Sequence, residues 1–422
     1  MTMSRIVADY LIETPFPLED VAAMMAGEQS SGTFVRVAGE TDELRARAAA
    51  EVLSIKELEE RPAPTLASAY VERKGAPGPF RRAHVRIAFP TGNIGRNLPT
   101  LAATVSGNLY DLGEVTGLKL MNVTVPAAYR ARFPLPTQGI GGTRESVGVA
   151  DRPVFGTIIK PNVGMTPDAI ANLVGDLCAA GVDFIKDDEV CANPDTAPLS
   201  ERVPLVMDAI KRAEDRSGRR VMMAFNITDE TDAMRRHADL VAQNGGTCVM
   251  ASLNWCGLSG METLRAHTDL AIHAHRNGFG AMSRHPALGM AFPAYQALCR
   301  LTGVDHMHVH GIGGKFVDSA DEVTEAARAC LTPLSTSTDD RVMPAFSSGQ
   351  WAGTLPSAAE AAQGADFMFM CGGGILAHPD GPAAGIASLR EAHEALSRGE
   401  PLDAVAPARP ALAAAMDFFG AR

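Results

Sequence analysis

The stretch GVDFIKDDEV, residues 181–190, places one lysine and three acids directly after a short apolar run. A buried run that ends in polar groups is typical of a parallel strand whose carboxyl end opens onto a site. Alternate residues of a strand share a face, so Lys186 and Asp188 are predicted to point the same way and Asp187 the opposite way. Glu189 comes just past the strand and can turn back toward Lys186.

Apolar runs of this kind alternate with helical stretches over the rest of the chain. Eight of them cover residues 154–159, 182–185, 220–227, 247–252, 269–275, 304–310, 341–348 and 366–371. This alternation of apolar runs and helical stretches predicts an α/β fold. In it, residues 154–422 form a carboxyl-terminal (β/α)8 TIM barrel, the catalytic domain. Chemistry in such barrels lies at the carboxyl ends of the strands, so we expect the polar groups that close the runs to meet at one rim.

The first part of the chain has a different pattern. Residues 1–135 predict an amino-terminal α+β domain of the ferredoxin-like kind, with β-α-β-β-α-β order. The Gly/Pro-rich stretch 133–153 is interpreted as a linker. The predicted strands are 5–14, 32–39, 81–90 and 118–126, and the predicted helices are 17–28 and 97–107.

Composition excludes several classes of partner. The 422-residue chain has a net charge of -11 and no basic stripe, so nucleic acid is not expected as a partner. Without a run of about 18 apolar residues, no membrane span is expected either. The amino terminus lacks the features of a signal peptide. Seven scattered cysteines are typical of reduced thiols, which predicts a cytoplasmic protein.

The cluster around Lys186 has two interpretations. Inward carboxylates from Asp188 and Glu189 suit a hard cation such as Mg2+. A lysine ammonium cannot bind a metal, but a neutral amine can add CO2 and become a carbamate, provided that burial lowers its pKa. The fragment alone is equally compatible with a salt bridge from Lys186 to either acid; the position at a barrel rim favours the metal site.

Glycine-rich segments follow the last strands of the predicted barrel. Three glycines, 372–374, can direct backbone N–H groups at an anion, and Ser347, Ser348 and Gly349 can add to the same site. The alternative for the glycines is a flexible turn. The segment 311–316 predicts a mobile loop that carries Lys315 over the site as a lid, or a turn with a solvated lysine.

Histidines recur at alternate positions on the predicted strands five and six. His273 and His275 form one pair, and His306, His308 and His310 form a row of three. Such spacing suits zinc in an amidohydrolase, but that family carries the pair on strand one, where this chain has TIIKP. Core histidines, or histidines that carry protons, are the preferred interpretation.

Taken together, these segments resemble the RuBisCO large-chain superfamily. The barrel segments that match, in order, are GTIIKP (156–161), GVDFIKDDE (181–189), HAHR (273–276), VDHMHVHGIGGK (304–315), SSG (347–349) and GGG (372–374). Before the barrel, GEQSSGTF (27–34) and SGNLY (106–110) resemble family segments that carry active-site residues. The resemblance spans nearly the whole chain.

The resemblance implies a role for each matching residue. Lys186 would be the carbamylated ligand, formed with CO2, that completes a Mg2+ site with Asp188 and Glu189. Lys160 would be the general base, His275 would bind hydroxyls or move protons, and Lys315 would be the lid lysine. Substrate and phosphate groups would be held by Arg276 and His308 at one end and by Ser347, Gly349, Gly372 and Gly373 at the other. Glu28, Thr33 and Asn108 would complete the site of a neighbouring subunit, which implies a homodimer or a higher oligomer.

The departures from the family pattern narrow the implied activity. Carboxylases of the family have a second lysine where Asn162 stands, a tryptophan at Phe34, a threonine at Ile158 and Ser-Gly-Gly at residues 347–349. The chain therefore resembles a RuBisCO-like protein (form IV) rather than a ribulose-bisphosphate carboxylase.

Several activities are implied by that resemblance. The first is a carbon–carbon lyase: decarboxylation of 3-oxo-isoapionate 4-phosphate in apiose catabolism through an enolate, or the related transcarboxylation or hydrolysis. The alternatives are a methionine-salvage enolase or isomerase that acts on a methylthio-pentulose phosphate, and a non-catalytic regulatory protein.

Overall fold

The computed structural model describes residues 4–32, 37–76 and 78–421, which divide into two compact units. One unit comprises the chain up to Pro134 with residues 278–302 and 333–339; the other comprises residues 135–277, 303–332 and 340–422. The described strands, numbered β1 to β13 in chain order, are Arg5–Thr14, Glu51–Arg61, Phe80–Pro90, Gly117–Thr124, Val154–Ile158, Phe184–Lys186, Met222–Asn226, Cys248–Ser252, Ala271–His275, Leu288–Met290, His306–His310, Met343–Ser347 and Met368–Met370.

The first unit is built on a five-stranded sheet in the order β10-β4-β1-β3-β2. Strands β4, β1, β3 and β2 pair antiparallel in the order of a ferredoxin-like sheet, and β10 joins β4 in parallel. Its helices are Leu18–Glu28, Asp42–Ala48, Ala69–Lys74, Thr91–Ile94, Leu98–Ser106, Ala127–Arg130, Gly280–Ser283 and Phe292–Arg300, with a 3-10 turn at Asn108–Asp111.

Strand β1 shows why the alternating pattern predicts this sheet. Ile6, Ala8, Tyr10 and Ile12 are fully buried, while the residues between them are half-buried or take part in polar contacts. The outer strand β2 was not predicted, because its sequence EVLSIKELEER buries no residue fully and lies at the edge of the sheet. Half of the strand predicted at 32–39, residues 33–36, lies outside the described residues.

The second unit is a closed parallel barrel formed by β5–β9 and β11–β13. All eight apolar runs become its strands, and its interior is filled by large apolar side chains such as Phe184, Met222, Met250 and Met343. The helices of this unit are Gly139–Val147, Pro167–Ala180, Leu199–Ser217, Thr231–Gln243, Leu253–His267, Ala320–Leu331, Leu355–Ala362, Gly372–Leu376, Gly381–Ser397, Leu402–Val405 and Pro410–Phe419, with 3-10 turns at Ala352–Thr354 and Ala406–Ala408.

These units confirm the predicted fold class, a TIM barrel with an amino-terminal α+β domain. The interpretation of 133–153 as a linker was wrong in part, since it contains the helix Gly139–Val147, whose Val147 packs into the barrel core. Across the described residues, no helix has both the length and the apolar composition that a membrane crossing requires. No disulfide joins the seven cysteines, and six of them are buried.

Candidate active site

Lys186 is the last residue of β6, and its side chain is buried at 1% exposure. Its Nζ donates to the Asp187 carbonyl at 2.9 Å, rather than to a carboxylate. Burial lowers the pKa of Lys186 to about 8, although Glu189, Asp188 and Asp187 oppose this shift. The amine is therefore far easier to deprotonate than an ordinary lysine, whose pKa is about 10.4.

Asp187 points to the opposite side, as the alternation predicted. Its Oδ2 accepts from Arg202 Nη2 at 3.0 Å and from the Asn226 N–H at 2.9 Å. Both Asp187 and Arg202 are at most 1% exposed, and burial raises the pKa of the Asp187 carboxyl although Arg202 favours its charged form. The pair anchors the backbone between Lys186 and Asp188 from outside the barrel interior.

Asn226, the last residue of β7, holds the next two residues. Its Nδ2 donates to the carbonyls of Asp188 at 3.0 Å and Glu189 at 3.2 Å. Neither Asn226 nor Arg202 was predicted from the sequence motifs. A signal existed for Asn226, because it closes the third apolar run at the same rim; Arg202 lies on an amphipathic helix, where nothing local marks it as buried.

The carboxylates of Asp188 and Glu189 face the remaining polar groups of this corner. Lys160 Nζ lies 2.6 Å from Asp188 Oδ2 and 2.9 Å from Asn162 Oδ1. His275 Nε2 lies 3.7 Å from Glu189 Oε2, and its Nδ1 accepts from the Asn277 N–H at 3.2 Å. Burial, with Lys186 nearby, keeps the pKa of His275 well below its usual value, so this ring is neutral.

The loops after β11 and β12 pack against each other. A Cβ on Gly349 would come within 3.2 Å of Gly314 Cα, and one on Gly314 within 2.4 Å of the Ser348 carbonyl. Gly349 has a φ of +68°, and Ser348 has a φ of +76°, which glycine adopts at lower cost. The segment that carries Lys315 therefore packs against the turn 347–349.

The other predicted anion-binding groups lie at the same ends of the strands. Gly372 and Gly373 begin the helix Gly372–Leu376 directly after β13. Arg276, 5% exposed, contacts Asp318 Oδ2 at 3.1 Å, and the same carboxylate is paired with His310 Nδ1. Asp318, on the loop before the helix Ala320–Leu331, is thus a further residue of the site that the sequence motifs did not indicate.

The inner histidines form a chain of contacts inside the barrel. His273 contacts both His306 (Nδ1–Nδ1, 3.3 Å) and His308 (Nε2–Nε2, 2.7 Å). His308 Nδ1 lies 2.9 Å from Ser347 Oγ, and His306 Nε2 lies 2.7 Å from Thr143 Oγ1. Because both ring nitrogens of each histidine are engaged within the chain, this geometry does not favour the zinc interpretation.

The amino-terminal candidates lie in the first unit. Glu28 ends the helix Leu18–Glu28, beside a cavity of about 430 Å3, and Asn108 begins the turn Asn108–Asp111. Gln29 links the two, with its amide placed to donate to the Ala103 carbonyl (3.1 Å) and to accept from the Asn108 N–H (3.2 Å). Thr33 lies outside the described residues.

Comparisons with known proteins agree with this architecture. Residues 2–129 match the model of the ribulose bisphosphate carboxylase large chain N-terminal domain, and residues 139–419 match that of its catalytic domain. A rubisco-like protein from Burkholderia fungorum has a crystal structure that matches with a TM-score of 0.94 and 58% identity, over 98% of this chain and 100% of that one.

Two curated relatives have named activities. A 3-oxo-isoapionate-4-phosphate transcarboxylase/hydrolase from Xanthobacter autotrophicus (strain ATCC BAA-1158 / Py2) is 43% identical, over 98% of this chain and 99% of its own. A 3-oxo-isoapionate-4-phosphate decarboxylase from Rhizobium rhizogenes (strain K84 / ATCC BAA-868) is 41% identical, over 98% of each chain. With both domains matched in order, this chain belongs to the RuBisCO large-chain family.

Proposed function

We propose that the protein is a Mg2+-dependent RuBisCO-like decarboxylase that acts on 3-oxo-isoapionate 4-phosphate. The observation that carries the proposal is the buried amine of Lys186, whose pKa burial lowers to about 8 although the charges of Glu189 and Asp188 oppose this shift. The names of two relatives over 40% identical support the substrate. The reaction is a carbon–carbon bond cleavage in a β-keto acid.

The residues present fit the implied metal. Asp188 and Glu189 offer two oxygen ligands, and the carbamate of Lys186 would be the third. Asp188 is 1% exposed and already accepts a cationic partner, Lys160, so a positive charge is accommodated at this carboxylate. Bound there, Mg2+ would stabilise the negative charge that develops on the substrate oxygen.

The side chains around this corner supply the proton that the reaction needs. Loss of CO2 leaves the electron pair of the broken carbon–carbon bond on the substrate as an enolate, whose carbon must then take up one proton. Lys160 carries that proton as an ammonium held by Asp188 and Asn162. His275 is the second candidate, because its Nδ1 accepts a hydrogen bond and its proton therefore lies on Nε2, toward Glu189.

Turnover measurements test this proposal. The protein is incubated with Mg2+ and bicarbonate, and release of CO2 from 3-oxo-isoapionate 4-phosphate is followed. We expect K186A and the larger K186M to lose at least about a hundredfold in rate, the cost of removing an electrostatic stabiliser. K211A, at an exposed lysine, is the matched control. Full activity of folded K186M, or activity unaffected by chelation of Mg2+, would contradict the proposal.

Carboxyl transfer or hydrolysis is the second candidate, favoured by the name of the 43% identical relative. Substrate labelled with 14C at the carboxyl carbon separates the two reactions. Decarboxylation releases the label as CO2, whereas transfer or hydrolysis leaves it in a non-volatile acid. Conversion of a methylthio-pentulose phosphate instead would indicate the methionine-salvage reaction, and a regulatory protein would turn over neither compound.

We also propose that the protein works as a cytoplasmic homodimer or higher oligomer, in which Glu28, Thr33 and Asn108 of one subunit complete the site of the next. Family membership supports this arrangement. Mixing an inactive K186M chain with an inactive E28Q chain tests it. Shared sites predict that hybrid dimers recover part of the activity, while sites built within one subunit predict none.

A further inference from the structure

A continuous chain of hydrogen bonds runs through the barrel interior, from Ser347 through His308, His273 and His306 to Thr143. Thr143, His273 and His306 are fully buried, and His308 and Ser347 are 3% and 8% exposed. Ser347 ends β12 at the rim of the site, whereas Thr143 lies on the helix Gly139–Val147, which precedes the first barrel strand. The chain therefore links a site residue to a segment outside the catalytic loops.

The end at Thr143 sets the direction of every hydrogen bond. Thr143 Oγ1 donates its only proton to the Gly139 carbonyl at 2.5 Å, and a carbonyl can only accept. Thr143 Oγ1 must then accept from His306, which places the His306 proton on Nε2.

The positions of the remaining protons are then fixed one after another, because a neutral imidazole has one donor nitrogen and one acceptor nitrogen. His306 Nδ1 is an acceptor, so His273 carries its proton on Nδ1. His273 Nε2 is then an acceptor, so His308 carries its proton on Nε2. His308 Nδ1 is left as an acceptor, and Ser347 donates its hydroxyl proton to it. Burial keeps all three rings neutral, since it lowers the pKa of each.

We propose that Thr143, His306 and His273 are positioning residues that hold His308 as its Nε2–H tautomer and thereby make Ser347 a hydrogen-bond acceptor toward the substrate. This row of hydrogen bonds cannot carry a proton out of the site, because the Gly139 carbonyl at its far end accepts a hydrogen bond but does not take up a proton. Its effect is on orientation: Ser347 accepts from a substrate hydroxyl and does not donate to a phosphate oxygen.

Removal of the Thr143 hydroxyl is expected to reverse the donor and acceptor in each hydrogen bond from His306 to Ser347. With no acceptor for its Nε2 proton, His306 would move the proton to Nδ1, and the two other histidines would follow in turn. His308 would then donate from Nδ1, and the proton of Ser347 would point into the site. The effect of the hydroxyl on catalysis rests on the proposed function; the tautomers do not.

The test uses the full-length protein labelled with 15N in histidine, with each signal assigned from single histidine substitutions. We expect the wild type to show unprotonated nitrogens at His308 Nδ1, His273 Nε2 and His306 Nδ1. T143V is expected to exchange the protonated and unprotonated signals of all three rings, and T143S, which keeps the hydroxyl, to restore the wild-type pattern. T302V is the control, because Thr302 is also buried and donates to a carbonyl, that of Cys299.

Two results would overturn the proposal: a wild-type His308 protonated on Nδ1 or on both nitrogens, or a folded T143V protein with unchanged tautomers. If T143V does not fold, the wild-type spectrum still tests the proposal, because it shows which nitrogen of His308 is protonated. With 3-oxo-isoapionate 4-phosphate, we expect kcat to fall about tenfold or more in T143V and to recover in T143S. An absence of turnover in the wild type would count against the proposed function alone, since the spectra do not depend on it.

Discussion

Asp187 and Arg202 form a buried ion pair beside the lysine of the candidate site, with Nη2 and Oδ2 3.0 Å apart. Removal of one partner leaves the other charge buried without compensation, so we expect D187N to lower the free energy of unfolding by about 3 kcal/mol or more. The control is D208N, which removes the acid of the exposed pair Asp208–Arg212 and should change stability by less than about 1 kcal/mol. Urea denaturation measures the free energy of unfolding of both variants. Equal losses in D187N and D208N would show that the buried pair does not stabilise the fold more than the exposed pair does.

Gly349 combines a left-handed backbone with a close neighbour. We expect G349A to cost about 1 kcal/mol for the φ of +68° alone, and more for the contact of its Cβ with Gly314 at 3.2 Å. Gly75 has a similar φ of +59°, but a Cβ there would meet nothing within 4 Å, so G75A isolates the cost of the backbone. Thermal unfolding measures the stability that each variant loses. A smaller loss of stability in G349A than in G75A would contradict the packing of the two loops.

At the scale of elements, the helix Ala320–Leu331 determines where the loop that carries Lys315 ends. Ser319 Oγ accepts from the Glu322 N–H at 3.2 Å, and the Glu322 carboxylate accepts from the Ser319 N–H at 2.8 Å, which is a capping box. We expect S319A to lower stability by about 1 kcal/mol and to increase proteolysis within residues 311–319. S337A, at an exposed serine, should change neither quantity. If S319A were cleaved at the wild-type rate, the capping box would not be what keeps residues 311–319 ordered.

For the whole molecule, the buried histidines predict a loss of stability in mild acid. Burial lowers the pKa of His306 to about 3, while an unfolded histidine titrates near 6.5. Below about pH 6.5 the unfolded state therefore binds more protons, and stability falls as the pH falls, by up to about 1.4 kcal/mol per pH unit for each such histidine.

Denaturant unfolding between pH 7 and 5 checks this dependence. H306Q removes one titrating ring, so its stability should fall less steeply with acid than that of the wild type, by up to about 1.4 kcal/mol per pH unit. H84Q, at an exposed position, should keep the wild-type slope. An unchanged slope in H306Q would mean that His306 is not held neutral.

Local periodicity was enough to predict most of the architecture. Strand β1 alternates buried and half-buried residues, and each apolar run of the second unit became a barrel strand, because side-chain direction repeats every two residues along a strand. The ordered motifs around Lys186, His275 and Gly372 also identified the family, which the comparisons confirm.

The remaining features depend on contacts between distant parts of the chain. No local pattern marks residues 288–290 as a strand, which pairs with β4 of a sheet otherwise formed before residue 125. Nor does one show that Lys186 bonds a carbonyl while Lys160 pairs with Asp188. The sequence by itself determined the barrel, the strands β1, β3 and β4 of the ferredoxin-like sheet and the residues at the strand ends, since these follow from side-chain period and type. Only the tertiary structure decided which buried polar groups pair and where their protons lie, because a buried group takes its charge and direction from neighbours that packing brings together.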